Sequence, residues 1–202
     1  MKRIFLLGLA LLAFAFAGSA QHRQKARQLL DRLAADYRQA ACLNIRFSGS
    51  QSGSLLLQDN CFVLDCAGIK SWYDGQTQWS YVVQNDEVNV SAPTADELDN
   101  VHPYAWMDRY ATAFTFVYTG QKTENGQQVH EVVLTPKTTG ELSSITLHIN
   151  AQGHPTLLRL QTANGGQQTY IITDYQSLKR QPLTAFRFPE KQYPNAEVVD
   201  LR

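Results

Sequence analysis

The amino-acid sequence predicts an α+β fold, in the order helix, about six strands, broken helix, about five strands, tail. Three observations predict it. An apolar pattern of helical period covers residues 22–40. From residue 43 the apolar period changes to two, and short runs are separated by Gly, Asn and Asp turn residues. The alternation stops at Pro93 and resumes at Phe114, with helical stretches between. Neighbouring strands this numerous form a meander that must curl to bury one face. A broken mid-chain helix then has a natural place across the open side.

The elements follow in order. Met1-Lys2-Arg3 is a short positive segment, Ile4 to Ala17 is apolar apart from Gly8, and Gly18-Ser19-Ala20 supplies small residues before Gln21. This is the three-part pattern of a cleaved signal peptide, predicted over residues 1–20. The apolar run is shorter than the roughly 20 residues a membrane span needs. No Cys sits at the cleavage site, so no lipid anchor is expected there. Residues 21–202 suit one exported domain with one core. In residues 22–40, Ala26, Leu29, Leu30, Leu33 and Tyr37 repeat at spacings of three and four between polar residues, which predicts an amphipathic helix.

Leu43, Ile45 and Phe47 begin the strands, and residues 48–54 are a Ser/Gly turn. Leu55 to Leu57 and then Phe62 and Leu64 follow, turned at Asp59-Asn60. Trp72-Tyr73 leads through Asp74-Gly75, a hairpin signal, to Trp79 and Tyr81, and Val88 and Val90 close the first group. Thr94 and Glu97 have capping-box spacing. Helical stretches then carry Leu98 and Val101 before Pro103, and Trp106, Met107 and Tyr110 after it; Pro103 is expected to break the segment. Strands resume at residues 114–118, 129–134, 145–149, 156–160 and 170–175. Their turns are Asn125-Gly126, Thr139-Gly140, Gln152-Gly153 and Asn164-Gly165-Gly166.

Composition excludes several functions. The chain has 18 basic and 18 acidic residues, and without Lys2 and Arg3 the balance is 16 against 18. With no basic run, the electrostatic footprint of a nucleic-acid binder is missing. The histidines, His22, His102, His130, His148 and His154, show no His-x-x-x-His or Glu-x-x-His spacing, and His130 and His148 are expected to point outward. There is no Gly-x-Ser-x-Gly elbow and no phosphate loop. Asp74 reads as a turn residue, not a catalytic one. No catalytic, cofactor or metal site is therefore expected. Cys42, Cys61 and Cys66 are odd in number, so at least one stays free or pairs between chains. Cys61 and Cys66 are too far apart along one strand to bridge. Cys42 faces Cys61 only if the intervening hairpin turns at Gln51-Ser52, and a slip of one residue destroys the pairing.

What the chain does have is a surplus of large apolar groups: Trp72, Trp79, Tyr81, Trp106, Phe114, Phe116 and Tyr118. As a set they are compatible with a cavity lined by apolar side chains. Several segments together resemble one family. Tyr73 to Tyr81 (YDGQTQWSY) is similar to the DGxxLWxY hairpin of the periplasmic outer-membrane lipoprotein carriers, the LolA family. Val133 to Lys137 matches their VLTPK strand, Gly53 to Leu64 their G-x-L-x-x…F strand pair, and Phe186 to Pro189 running to Arg202 their FxFxxP…D ending.

The resemblance runs over nearly the whole chain beyond the leader. It implies a curved antiparallel open sheet, an incomplete barrel of about eleven strands, covered by the N-terminal helix and the broken mid-chain helix. It further implies a periplasmic, monomeric carrier that shields lipoprotein acyl chains, with inner-membrane release machinery and an outer-membrane acceptor as partners. The other reading of the same sheet is a lipid- or lipopeptide-sensing module that transfers nothing. By the resemblance, Phe47 and Phe62 fall on the family's strand phenylalanines. By alternation, Phe47, Leu55, Leu57, Phe62, Leu64, Trp79 and Tyr81 are expected to face the cavity from the sheet, and Trp106 and Met107 from the broken helix, which is expected to act as a lid. Alternation fixes only which residues share a face. One departure stands out: the family often carries an Arg just before the strand Phe, bonded to the lid, whereas Gln58-Asp59-Asn60-Cys61 has none.

Overall fold

The computed structural model describes residues 2–94, 97 and 105–202, with residues 2–19, 105, 106 and 108 described by their backbone alone. Helix α1 (Lys2–Gln39) runs unbroken from residue 2 through the amphipathic segment. Six strands follow: β1 (Cys42–Gly49), β2 (Gly53–Gln58), β3 (Cys61–Cys66), β4 (Ile69–Tyr73), β5 (Gln78–Val82) and β6 (Glu87–Ser91). Then come α2 (Ala105–Ala113), β7 (Phe114–Glu124), β8 (Gln127–Pro136), β9 (Leu142–Ile149), β10 (Pro155–Thr162) and β11 (Gln167–Leu178). Two short 3-10 turns, Leu183–Phe186 and Glu190–Gln192, precede a last strand, β12 (Glu197–Asp200). The eleven expected strands are all present. The twelfth lies in the tail, where the sequence shows no alternation.

All twelve form one open sheet in the order β12-β6-β5-β4-β3-β2-β1-β11-β10-β9-β8-β7. Two meanders, β1 to β6 and β7 to β11, are joined by antiparallel pairing of β1 with β11, with a bulge between Arg46 and Phe47. Only β12 runs parallel to its neighbour, pairing Val198 with Val88 and Asp200 with Val90. The hairpins form where turn chemistry allows. Asn125 and Gly126 both take positive φ (48° and 78°), as a type I′ turn requires. Asp74 Oδ1 accepts hydrogen bonds from the backbone N–H of Gln76 (3.1 Å) and Thr77 (3.0 Å), so this residue is a turn former, as read.

Strand pairing sorts the side chains. Leu43, Ile45, Leu57 and Phe62 share one face with Val132, Leu134, Ile145 and Leu147, here called the inner face. Helix α1 lies on it through Ala26, Leu29, Leu30, Leu33 and Ala34, all buried, because its apolar stripe has the helical period. Helix α2 joins the same core through Met107 and Tyr110. Its position follows from topology: β6 lies beside one edge of the sheet and β7 forms the other, so the connecting chain must cross. The capping box forms, with the Thr94 hydroxyl and backbone N–H both donating to Glu97 Oε2 (2.8 Å each). The expected break at Pro103, with Leu98, Val101 and His102, lies outside the described residues, as does the Trp106 side chain, so the lid expectation has no structural counterpart here.

The outer face carries a third cluster, in which Trp72, Tyr81 and Val88 pack against Phe188 and Tyr193 of the tail. The tail is pinned there. Gln58, 4% exposed, donates from Nε2 to the Gln181 carbonyl (3.1 Å) and accepts from the Gln181 N–H at Oε1 (2.7 Å). Arg187 Nε pairs with Asp74 Oδ2 at 2.8 Å, and Arg180 with Asp59. The cysteines are all free. Strand β2 separates β1 from β3, so Cys42 and Cys61 flank Gln58 from two strands apart. That is about 10 Å, beyond disulfide reach. The bridge weighed from the sequence does not form, because it needed β1 and β3 to be neighbours.

Replacing Gln58 with Ala removes both halves of the clamp and leaves half-buried backbone groups of Gln181 without partners. A loss of about 1–3 kcal/mol is expected, read as a lower urea midpoint; an unchanged midpoint means that the tail is held by its aromatic contacts alone.

Candidate ligand cavity

Between the inner face and the two helices is an apolar cavity of about 320 Å³. Leu33 of α1 and Met107 of α2 border it from above. Ile45, Phe47, Leu55 and Leu64 border it from β1 to β3, and Leu147, Leu158, Leu160 and Ile172 from β9 to β11. Leu64 and Leu147 lie on strands five positions apart, about 24 Å in a flat sheet. Both border one small cavity, so the sheet curls around it. Curling also needs close approach of the backbone. Gly53 lies opposite Phe47, and a Cβ there would fall 2.7 Å from the Phe47 ring and 2.2 Å from the Asp65 carbonyl. Only glycine lets that ring lie across the strand into the cavity.

Of the site residues expected from sequence, Phe47, Leu55, Leu64 and Met107 border the cavity. Leu57 and Phe62 share its face but sit deeper, each 1% exposed, with Phe62 against Tyr73 at 5.6 Å between ring centroids. Trp79 and Tyr81 do not face it. In β4 and β5, Trp72 pairs with Trp79 and Lys70 with Tyr81, and these four share the outer face. Tyr81 packs there on Tyr193 with centroids 4.5 Å apart. The four residues between Tyr73 and Gln78 set the parity of β5, and the sequence does not display it. The tail offered one signal, since Phe188 and Tyr193 need an apolar partner. Leu33, Leu147, Leu158, Leu160 and Ile172 were legible as alternating or helical positions but not as neighbours of one space.

The polar lining consists of Gln51, Cys66 and Tyr170. Cys66 Sγ donates to Gln51 Oε1 (3.1 Å), and the Tyr170 hydroxyl donates to Gln168 Oε1 (2.9 Å). Burial, then the nearby Asp65 carboxylate, pushes the Cys66 thiol pKa up. No Arg precedes Phe62, but the helices have another tie. The Tyr110 hydroxyl donates to the Asp31 carboxylate, joining α2 to α1. Burial and that bond push the Tyr110 pKa up to about 12.

Two of the histidines have partners on the sheet. His148 lies on the outer face between Glu124 (2.6 Å) and Glu131 (2.9 Å). His130 points inward and meets the Tyr118 hydroxyl (3.1 Å), contrary to the expected outward placement, because it shares the parity of Val132 and Leu134 and pairs with Ile149. Among the described residues no cluster of ligating side chains suits a metal, and no helix is long and apolar enough to cross a membrane.

An open antiparallel sheet curled round an apolar cavity and roofed by two helices defines a class of fold suited to holding lipid chains. Residues 16–161 match the family described as outer membrane lipoprotein carrier protein LolA, and the chain belongs to that family. No curated protein sequence matches it. Among solved structures, an uncharacterized conserved protein from Thermus thermophilus is similar with a TM-score of 0.61 at 11% identity, covering 87% of this chain and 99% of that one. A DUF1329 family protein from Desulfovibrio piger is similar with a TM-score of 0.50 at 8% identity, covering 82% of this chain and 97% of that one. These similarities establish the fold.

Two outcomes follow from the site's chemistry. Cys66 is half-buried while Cys42 and Cys61 are buried, so one thiol should react with maleimide in the native protein and three after unfolding. The native reaction should speed up as pH rises toward the raised thiol pKa, and Cys66→Ala should abolish it. A native reaction that survives that change places the reactive thiol elsewhere. For Tyr110, folding holds the proton more tightly than the unfolded chain, whose tyrosines ionise near pH 10. The Tyr110 contribution is therefore complete below pH 10 and is lost as pH rises toward about 12. Tyr110→Phe should flatten the fall in stability over that window, as read by urea midpoints at successive pH values.

Proposed function

We propose that the protein is a periplasmic carrier that shields lipoprotein acyl chains in the cavity while they cross from the inner to the outer membrane. Residues 1–20 act as the cleaved signal peptide, and residues 21–202 as the single carrier domain, working as a monomer without covalent chemistry. The observation that carries this reading is the apolar cavity beneath α1 and α2 in a chain of the lipoprotein-carrier family. The physical need is plain, since each methylene exposed to water costs about 0.8 kcal/mol. An acyl anchor cannot cross an aqueous gap unless a protein surface replaces the bilayer. A carrier must also release, and Met107 offers a pliant contact that can repack around a chain and leave it.

Phe47, Leu55 and Leu64 supply the sheet side of the cavity, with Leu57 and Phe62 as the packed floor that holds them. Trp79 and Tyr81 serve the outer face and have no part in binding. The partners are acylated lipoproteins, an inner-membrane releasing machine and an outer-membrane acceptor.

The test is transfer. Purified protein is incubated with vesicles carrying an acylated lipoprotein, and the soluble fraction is then offered to acceptor vesicles. A carrier extracts cargo and delivers it; a sensing module binds without delivery, which refutes this reading. Leu55→Asp places a charge in the cavity wall and should cut extraction at least tenfold, a loss of about 1.4 kcal/mol or more in binding. Leu55→Ala should cut it less while keeping the fold, as checked by circular dichroism.

A further inference from the structure

Two properties of the cavity narrow what it takes. The first is size. About 320 Å³ holds roughly ten methylenes, at about 30 Å³ each, the share of a water molecule in the liquid. One alkyl chain fills that space. Two or three chains of a multiply acylated anchor side by side need the cavity to widen.

The second property is charge. Among the described residues that border the cavity, none is ionic. Its polar atoms gather at one end of the sheet, where the turn between β1 and β2 lies against the start of β11 and the Ser50 N–H donates to the Thr169 carbonyl (2.8 Å). There the bond from Cys66 to Gln51 Oε1 fixes the orientation of the Gln51 amide. Its Nε2 hydrogens have no partner among the described residues, and Gln51 is exposed at the rim. The rim therefore offers N–H donors and no cation. A carboxylate or phosphate drawn into it would lose water without gaining a counter-charge, which is costly. An ester or amide carbonyl accepts one neutral hydrogen bond and carries no such penalty.

Granted the carrier reading, we infer that the cavity takes a single acyl chain, inserted up to an uncharged ester or amide carbonyl that accepts a hydrogen bond from Gln51 Nε2. Cargo with several chains is then gripped by one of them.

Calorimetric titration of the protein with four probes tests this: monodecanoylglycerol, decanoate, didecanoylglycerol and decane, each below its aggregation limit. Monodecanoylglycerol should bind one per protein and shield Cys66 from maleimide. Decanoate at about pH 8, where the carboxylate is ionised, should bind at least tenfold more weakly. Didecanoylglycerol should bind no more than threefold tighter than the single-chain ester. Gln51→Ala should weaken monodecanoylglycerol several-fold and leave decane unchanged, which separates loss of the hydrogen bond from loss of the cavity. Two chains per protein, decanoate equal to the ester, a tenfold gain from the second chain, or an unshielded Cys66 overturns the inference while leaving a chain-binding carrier standing. If no alkyl probe binds, the inference falls and the carrier reading falls with it.

Discussion

The pairing of β1 with β11 is the constraint on which the molecule depends. Each meander alone has an apolar face too narrow to enclose anything. Joined edge to edge they become one broad sheet, and the natural twist of such a sheet turns breadth into curvature. The join bulges between Arg46 and Phe47, and a bulge bends its strand. It does so beside Phe47, where the sheet must turn most tightly around the cavity. The pairing also brings the rim together, since Gln51 follows β1 and Tyr170 begins β11. A pairing more than a hundred residues apart in sequence thus supplies both walls of the cavity and its opening.

The two faces of the sheet divide the work. The inner face keeps its apolar side chains only partly satisfied, with helices laid over a space they do not fill. Over β4 to β6 the outer face is covered by the tail, which the Gln58 clamp, the Arg187–Asp74 pair and the Trp72–Phe188–Tyr193 cluster hold down. Such a division suits a binding protein. One side is tied down by the tail over β4 to β6, and the other retains contacts that a ligand can improve. The tie between Tyr110 and Asp31 links helix to helix, while α1 reaches the wall only at its hairpin turns among the bonds described, through Arg32 to the Gln152 carbonyl and Tyr37 to the Asp59 carbonyl.

Much of the fold was legible in the sequence, and the gaps have a common physical origin. Periods of 3.6 and two, with Asp-Gly and Asn-Gly turns between them, are local signals, and they place the amphipathic part of α1 and the first eleven strands. Phe47, Leu55 and Leu64 were readable as a set because two short hairpins carry one parity across three strands. What failed is what local signals do not encode. The parity of Trp79 and Tyr81 depended on how many residues the Asp74 turn consumes. Strand β12 exists because β6 offers it a parallel edge, not because Glu197 to Asp200 alternate. The Cys42–Cys61 bridge failed on neighbour order, with β2 standing between. The join of β1 to β11 has no signature in either strand alone.

Among the described residues of the cavity wall none is charged, and on the carrier reading this has a consequence for how bound lipid leaves. Salt screens charges and protons neutralise them, yet neither acts on an alkyl chain against leucine and phenylalanine. Ionic strength and acidity, the usual means by which a compartment loosens a grip, therefore have little purchase on the wall itself. Departure is governed by partition: the chain moves when another apolar surface, offered close by, holds it better than this one does. On that reading, direction of travel is a property of the two surfaces between which the protein moves.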